Sequence, residues 1–280
     1  MDQAKQPSET RPDSPADASE APGPHSSFRL RPTEVVRSLN WATAKAKLKQ
    51  AEGRLSELGD KVGRRVQRAA GHVSTVLPPN PLGAVCGVMD SMPVTAENML
   101  LGYAQGLYCM DFGGKVRWHC PNERFCIYLN ELRISSNMRR ELKRASYTTT
   151  FDKSPREVLD ACADREEGTW LSDRLKRIYM ELFEMGAMHT VEAWKDSELV
   201  GGSFGVSIGR TWTSESMFHR APHAGKVQFA AVAAHLIERG FDCVDGQQWS
   251  DHFARFGAKD VPIEEYRARL ARGLAAPVRF

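Results

Sequence analysis

The segment VDGQQWSDHFARFGA at 244–258 holds the residue types best suited to chemistry. Asp245 ends the apolar run FDCVD, which predicts a short buried strand, and Gln247 follows two residues later. If the strand continues that far, both side chains point to the same side. A carboxylate and an amide placed together could orient an amine and relay its proton. A helix cap or a turn is the commoner role of an aspartate at the end of a strand, and that alternative stays open.

Glu215 is a second candidate, because it interrupts the apolar strand pattern of TSESMFHR at 213–220. A carboxylate in such a strand needs either solvent or a partner, and a solvated edge position is the simpler explanation. Trp118 in VRWHCPNER lies in a loop-like aromatic patch, and Trp170 in EGTW stands alone before a predicted helix. Exposed tryptophans can stack on nucleobases. Ordinary hydrophobic anchoring is the commoner role and remains an alternative for both.

Composition places these residues in an ordinary globular chain. The 280 residues are 41% hydrophobic and 26% charged, which excludes collagen, rod-like and wholly disordered proteins. No apolar run approaches the length of a membrane span, and the acidic first twenty residues argue against a secretory signal. Six scattered cysteines without a CxxC pair predict reduced thiols in the cytoplasm. We expect no metal site and no cofactor.

Charge is distributed unevenly along the chain. Residues 1–26 carry five acidic and two basic side chains, and their Pro, Ser and Ala content predicts disorder. Residues 27–72 carry eleven basic and four acidic side chains, and with the linker LPPNPLG they predict a basic helical arm over 27–80. A basic arm on a nearly neutral body suggests an anionic partner. A compact region is expected to begin near Pro81.

Hydrophobic periodicity predicts an α+β protein with one central sheet. The predicted helices are 95–106, 135–144, 154–163, 172–185, 225–239 and 262–273. The predicted strands are 188–194, 198–208 and 211–218, which form a meander, and 241–245. The aromatic stretch 107–129 is expected to be irregular.

The ordered segments RWHCPNER, EGTW, HTVEAW, ELVGG, ESMF and RGFDCVDGQQWSDHFARFGAKDVP change the interpretation. Together they resemble the leucyl/phenylalanyl-tRNA–protein transferase family. The resemblance implies an acetyltransferase-like (GNAT) catalytic domain, expected at 151–280, after a small N-terminal α/β domain, expected at 81–150. The basic, partly disordered N-terminal extension falls outside the family pattern.

The same resemblance implies transfer of leucine or phenylalanine from aminoacyl-tRNA to the N-terminal amine of proteins that begin with Lys or Arg. The product would be marked for N-end-rule degradation. Asp245 and Gln247 match the catalytic Asp and Gln of the family, and Glu215 matches a carboxylate that receives the basic acceptor residue. Trp118 and Trp170 match tryptophans associated with the terminal adenosine of the tRNA. The expected partners are aminoacyl-tRNA and acceptor proteins, and the expected state is a monomer.

Gln247 is too weak to be a strong base, so we interpret it as a positioning group held by Asp245. Helix and strand spacing suggests an apolar pocket for the donor side chain, formed by Met217, Phe229, Val232, Leu236 and Val244. The glycine-rich segment common in the family is replaced by GVMDSMPVTAENML, so the donor amino acid stays open.

Two other functions remain as alternatives. An acyl-CoA-dependent N-acyltransferase of the same fold would need a Q/R-x-x-G-x-G/A loop before a helix, and residues 220–225 lack that spacing. A non-catalytic RNA-binding protein would not need the combination of Asp245, Gln247 and Glu215.

Overall fold

The computed structural model describes residues 93–144 and 147–280. The predicted disordered segment at 1–26 and the predicted basic arm and linker at 27–80 lie outside the described residues. Within the described ranges, no helix combines the length and apolar character that a membrane span requires.

The described chain contains both helices and strands. The helices are α1 (Ala96–Ala104), α2 (Ser136–Arg144), α3 (Pro155–Ala163), α4 (Asp173–Glu184), α5 (Ala224–Arg239), α6 (Asp251–Ala254) and α7 (Ile263–Ala275). The strands are β1 (Tyr108–Phe112), β2 (Lys115–His119), β3 (Glu123–Tyr128), β4 (Thr148–Phe151), β5 (Met188–Lys195), β6 (Glu198–Ile208), β7 (Thr211–His219), β8 (Cys243–Asp245) and β9 (Lys259–Pro262).

A seven-stranded sheet with the order β4-β5-β6-β7-β8-β3-β9 forms the centre of the protein. Strands β5, β6 and β7 form the predicted antiparallel meander. β7 and β8 run parallel, and α5 connects them as a crossover helix. Gly240 ends α5 in the left-handed conformation, with φ 84°, which only glycine adopts freely. The structure thus confirms the α+β class and the long helices that the sequence predicts.

The stretch 107–129 is not irregular, so that prediction is wrong. It contains the hairpin β1–β2 and the strand β3. The hairpin turns at Gly113 and Gly114, whose φ values of 62° and 82° suit a two-residue turn of the primed type. β3 pairs with β8 and β9, more than 100 residues further along the chain. Its buried run RFCIY has no alternating pattern, because both of its faces are covered.

Two hydrophobic clusters cover the two faces of the large sheet. Cys126 and Cys243 belong to the cluster under α1, α3, α4 and α7, whereas their chain neighbours Ile127 and Val244 belong to the cluster under α5. This alternation follows from the two-residue period of a strand. The division at residue 150 stays a prediction, and the large sheet contains strands from both sides of it.

Candidate active site

Asp245 ends β8 and is completely buried. Its carboxylate forms a two-point ion pair with Arg124, in which Nε donates to Oδ1 at 3.1 Å and Nη2 donates to Oδ2. The Tyr266 hydroxyl also donates to Oδ2, at 2.6 Å. A buried carboxylate needs such partners, because desolvation of an unpaired charge is costly. Asp245 is therefore a fully bonded anchor with no oxygen facing an open space.

Arg124 holds this anchor from β3, and it too is completely buried. Its guanidinium carbon lies over the rings of Tyr108 and Tyr266, 5.0 Å and 4.8 Å from their centroids, and Nη1 donates to the carbonyl oxygen of Gly106 at 2.9 Å. Burial alone would lower the pKa of Arg124, but the Asp245 carboxylate outweighs it and raises that pKa. Arg124 is not among the residues predicted for the site, although an arginine within the apolar run RFCIY is a signal that could have identified it.

Gln247 follows the end of the strand in the left-handed conformation, with φ 62°. The strand stops at Asp245, so strand alternation does not align these two side chains as expected. Instead, the backbone N–H of Gln247 donates to Asp245 Oδ1 at 2.8 Å. The side-chain amide then donates from Nε2 to Glu215 Oε1 at 2.9 Å. Asp245 therefore fixes the backbone of Gln247, and the amide reaches the second candidate residue.

Glu215 is half-buried on β7 rather than solvated at an edge. Its Oε2 accepts a hydrogen bond from the Tyr179 hydroxyl at 2.9 Å, and the Tyr179 hydroxyl lies 3.0 Å from that of Tyr103. Desolvation raises the pKa of Glu215 to about 7. Neither tyrosine is among the residues predicted for the site, because they lie on α1 and α4 and only the fold brings them to β7.

The two candidate tryptophans differ in their surroundings. Trp118 is 1% exposed, and a Cβ built on Gly102 of α1 would lie 2.2 Å from its ring. That is the environment of a hydrophobic anchor, so stacking by Trp118 would require the ring to be uncovered first. Trp170 is only partly buried, and its ring packs edge-on against the Tyr179 ring with 6.3 Å between the ring centroids. Trp170 therefore lies next to the hydrogen-bonded group around Glu215.

Of the five residues predicted to line a donor pocket, four belong to the hydrophobic core and one is half-buried. Phe229, Val232, Leu236 and Val244 are buried in the hydrophobic cluster under α5. Met217 is half-buried, and its terminal methyl approaches Gly225 at the start of α5. Their role as a donor pocket stays a prediction.

An open cleft of about 630 Å³ includes Gln247 in its wall. The cleft is lined by residues just before and at the start of β3, in the segment after β8, and in β9. They are Pro121, Asn122, Glu123, Phe125, Gln247, Gln248, Trp249, Asp260 and Pro262. Over the described ranges, no group of three or more His, Cys, Asp or Glu side chains could hold a metal ion.

Comparison with known proteins identifies relatives along most of this chain. The family model for leucyl/phenylalanyl-tRNA protein transferase matches residues 126–271. The transferase of Herpetosiphon aurantiacus is 38% identical over 188 residues, covering 67% of this chain and 98% of that protein. The transferase of Afipia carboxidovorans is 39% identical over 194 residues, covering 67% and 85%. Among solved structures, L-PGS from Bacillus licheniformis matches with a TM-score of 0.32 and 17% identity, over 53% of this chain and 50% of that one, which does not establish a shared fold.

Proposed function

The chain belongs to the leucyl/phenylalanyl-tRNA–protein transferase family, and from this premise we propose that Gln247 and Glu215 bind the N-terminal residue of the acceptor protein. The chain is an aminoacyltransferase that moves an amino acid from aminoacyl-tRNA to a protein N-terminus. The observation that carries the proposal is the direct hydrogen bond between Gln247 and Glu215 at the end of the buried strand β8.

The reaction needs little chemical help, because the donor is an activated ester. The acceptor nitrogen forms a bond with the ester carbonyl carbon, and the bond from that carbon to the tRNA ribose oxygen breaks. The amine loses a proton and the ribose oxygen gains one. Holding the amine against the carbonyl can supply much of the rate enhancement. The amine must be neutral when it attacks.

Gln247 is suited to hold that amine. Its Nε2 already donates to Glu215, so its Oε1 is the amide atom that accepts an N–H of the amine. The backbone N–H of Gln247 donates to Asp245, and this bond holds in place the backbone from which the side-chain amide extends. Asp245 and Arg124 are thus positioning residues in this proposal, and they make no contact with the acceptor.

Glu215 is suited to attract a basic acceptor residue, Lys or Arg. Tyr179 and Gln247 each bond one of its oxygens, which fixes the orientation of the carboxylate. A charge-assisted hydrogen bond between this carboxylate and a cationic side chain would favour such acceptors over neutral ones. We further propose an acetyltransferase-like fold, an apolar donor side chain, a cytoplasmic location, and a role of the product in N-end-rule degradation.

The preference for basic acceptors is expected to depend on pH through Glu215. Its raised pKa of about 7 means that the carboxylate form is lost as the pH falls through 7. The ratio of kcat/KM for an Arg-initial peptide to that for an Ala-initial peptide should therefore fall from pH 8 to pH 6. Because protonation of the acceptor amine slows both peptides alike, the ratio isolates the effect of Glu215.

Glu215→Gln tests this role at fixed pH. The ratio should fall by about tenfold, the order of a hydrogen bond to a charged group, and should no longer change with pH. A variant that keeps the wild-type ratio between Arg-initial and Ala-initial peptides would show that Glu215 does not select the acceptor.

Trp170→Ala is expected to weaken the binding of charged tRNA by about tenfold, because stacking on a base contributes about 1–3 kcal/mol. The partly exposed position of Trp170 beside Tyr179 motivates this prediction. Trp194→Ala on β5 is the matched control, since Trp194 is also half-buried but packs against Lys153. If the wild type and Trp170→Ala bound charged tRNA with equal affinity in a filter-binding titration, Trp170 would not stack on a base of the tRNA.

A further inference from the structure

The open cleft beside the site shares one residue with it. Gln247 lines the cleft and also donates from its amide to Glu215. If Gln247 and Glu215 hold the end of a substrate, the part of the substrate next to that end can therefore lie in the cleft. The cleft volume of about 630 Å³ is in the range of cavities that accept ligands of several residues or of drug size.

The chemistry of the cleft wall distinguishes between the two substrates of the reaction. Phe125, Trp249 and two prolines supply apolar surface, and Glu123 and Asp260 supply carboxylates. The nine described lining residues include no lysine and no arginine. Phosphate groups bind where lysine and arginine neutralise them, so this wall does not suit the tRNA backbone. It suits a polypeptide with basic and apolar side chains.

We infer that this cleft binds the residues that follow the N-terminal residue of the acceptor polypeptide. The inference rests on the proposed function, because it takes the acceptor amine to lie at Gln247. Glu123 is exposed at the start of β3 and lines the cleft. Glu123 thus makes the enzyme prefer acceptors with a basic residue at the second or third position over acceptors with an acidic one.

The test compares peptides that all begin with Arg and carry Lys, Ala or Asp at the second and third positions. With the full-length chain and leucyl-tRNA, kcat/KM should be about two- to fivefold higher for the Lys peptide than for the Asp peptide, as expected for exposed charge pairs. Glu123→Lys should reverse this order. It should leave transfer to arginine methyl ester unchanged, because that acceptor has no second residue.

Glu198→Lys is the matched control, since Glu198 is also exposed but lies at the start of β6 and does not line the cleft. It introduces the same change of charge and should keep the wild-type order of peptides. Melting curves of both variants should match that of the wild type, because both side chains are exposed.

The possible outcomes separate the inference from the proposed function. The cleft inference alone would be overturned if the ratio of kcat/KM for the Lys peptide to that for the Asp peptide were the same in the wild type and the Glu123→Lys variant, while transfer itself stayed intact. The proposed site of the acceptor residue would be overturned if Glu215→Gln left unchanged the ratio of kcat/KM for an Arg-initial peptide to that for an Ala-initial peptide. If Glu123→Lys tightens tRNA binding and steepens its salt dependence while the peptide order persists, the cleft binds tRNA and the inference is wrong.

Discussion

Asp245→Ala is expected to lower the free energy of unfolding by about 3–5 kcal/mol, because it leaves Arg124 as an unpaired buried charge. It should also reduce single-turnover transfer by about a hundredfold, since Gln247 loses the bond that fixes its backbone. Chemical denaturation measures the first effect, and quenched-flow transfer from prebound leucyl-tRNA measures the second. Binding of charged tRNA by the folded fraction should change little.

A double variant separates the two effects of this substitution. Replacing both members of a buried ion pair by apolar residues often restores stability, because no charge is left without a partner. Arg124→Leu combined with Asp245→Leu should therefore be more stable than Asp245→Ala alone, yet still transfer slowly. If the double variant regained wild-type transfer, Asp245 would have no positioning role.

Gln247→Ala is expected to reduce single-turnover transfer by about 10²–10³-fold, the cost of removing one positioned polar group from a reaction centre. Its melting temperature should stay close to that of the wild type, because Gln247 is half-buried and its backbone bond to Asp245 is retained. Gln248→Ala is the matched control. Gln248 is its chain neighbour, and its amide donates to Tyr108 at 2.9 Å rather than to Glu215.

A loss of tRNA affinity that equals the loss of rate in Gln247→Ala would mean that Gln247 binds the donor. Comparable losses in Gln247→Ala and Gln248→Ala would mean that the whole segment, rather than the amide of Gln247, supports transfer.

The sequence was informative wherever the pattern was local. The meander β5–β7 joins its strands by short turns at 196–197 and 209–210, and the predicted strand ends agree with the observed ones to within a residue. The ends of α3, α4 and α5 were also close to their predicted positions, since Pro155, Gly186 and Gly240 mark them. Of the candidate residues, Gln247 and Glu215 do lie in direct contact.

What the sequence could not supply depends on contacts between distant segments. Arg124 and Asp245 are 121 residues apart, and β3 is an interior strand of the sheet only because β8 and β9 pair with its two edges. Tyr179 reaches Glu215 from α4 across 36 residues. Burial of Trp118 likewise follows from the absence of a side chain at Gly102. No periodicity within a single segment encodes such pairs.

The mass of the reaction product tests the central claim most directly. The full chain would be incubated with tRNA pools, each charged with one amino acid, and with peptides that begin with Arg, Lys or Ala. We predict that Arg-initial and Lys-initial peptides gain one leucine or phenylalanine at the N-terminal amine, and that Ala-initial peptides gain it far more slowly. Equal transfer to all three peptides, or no transfer from any charged tRNA, would contradict the account.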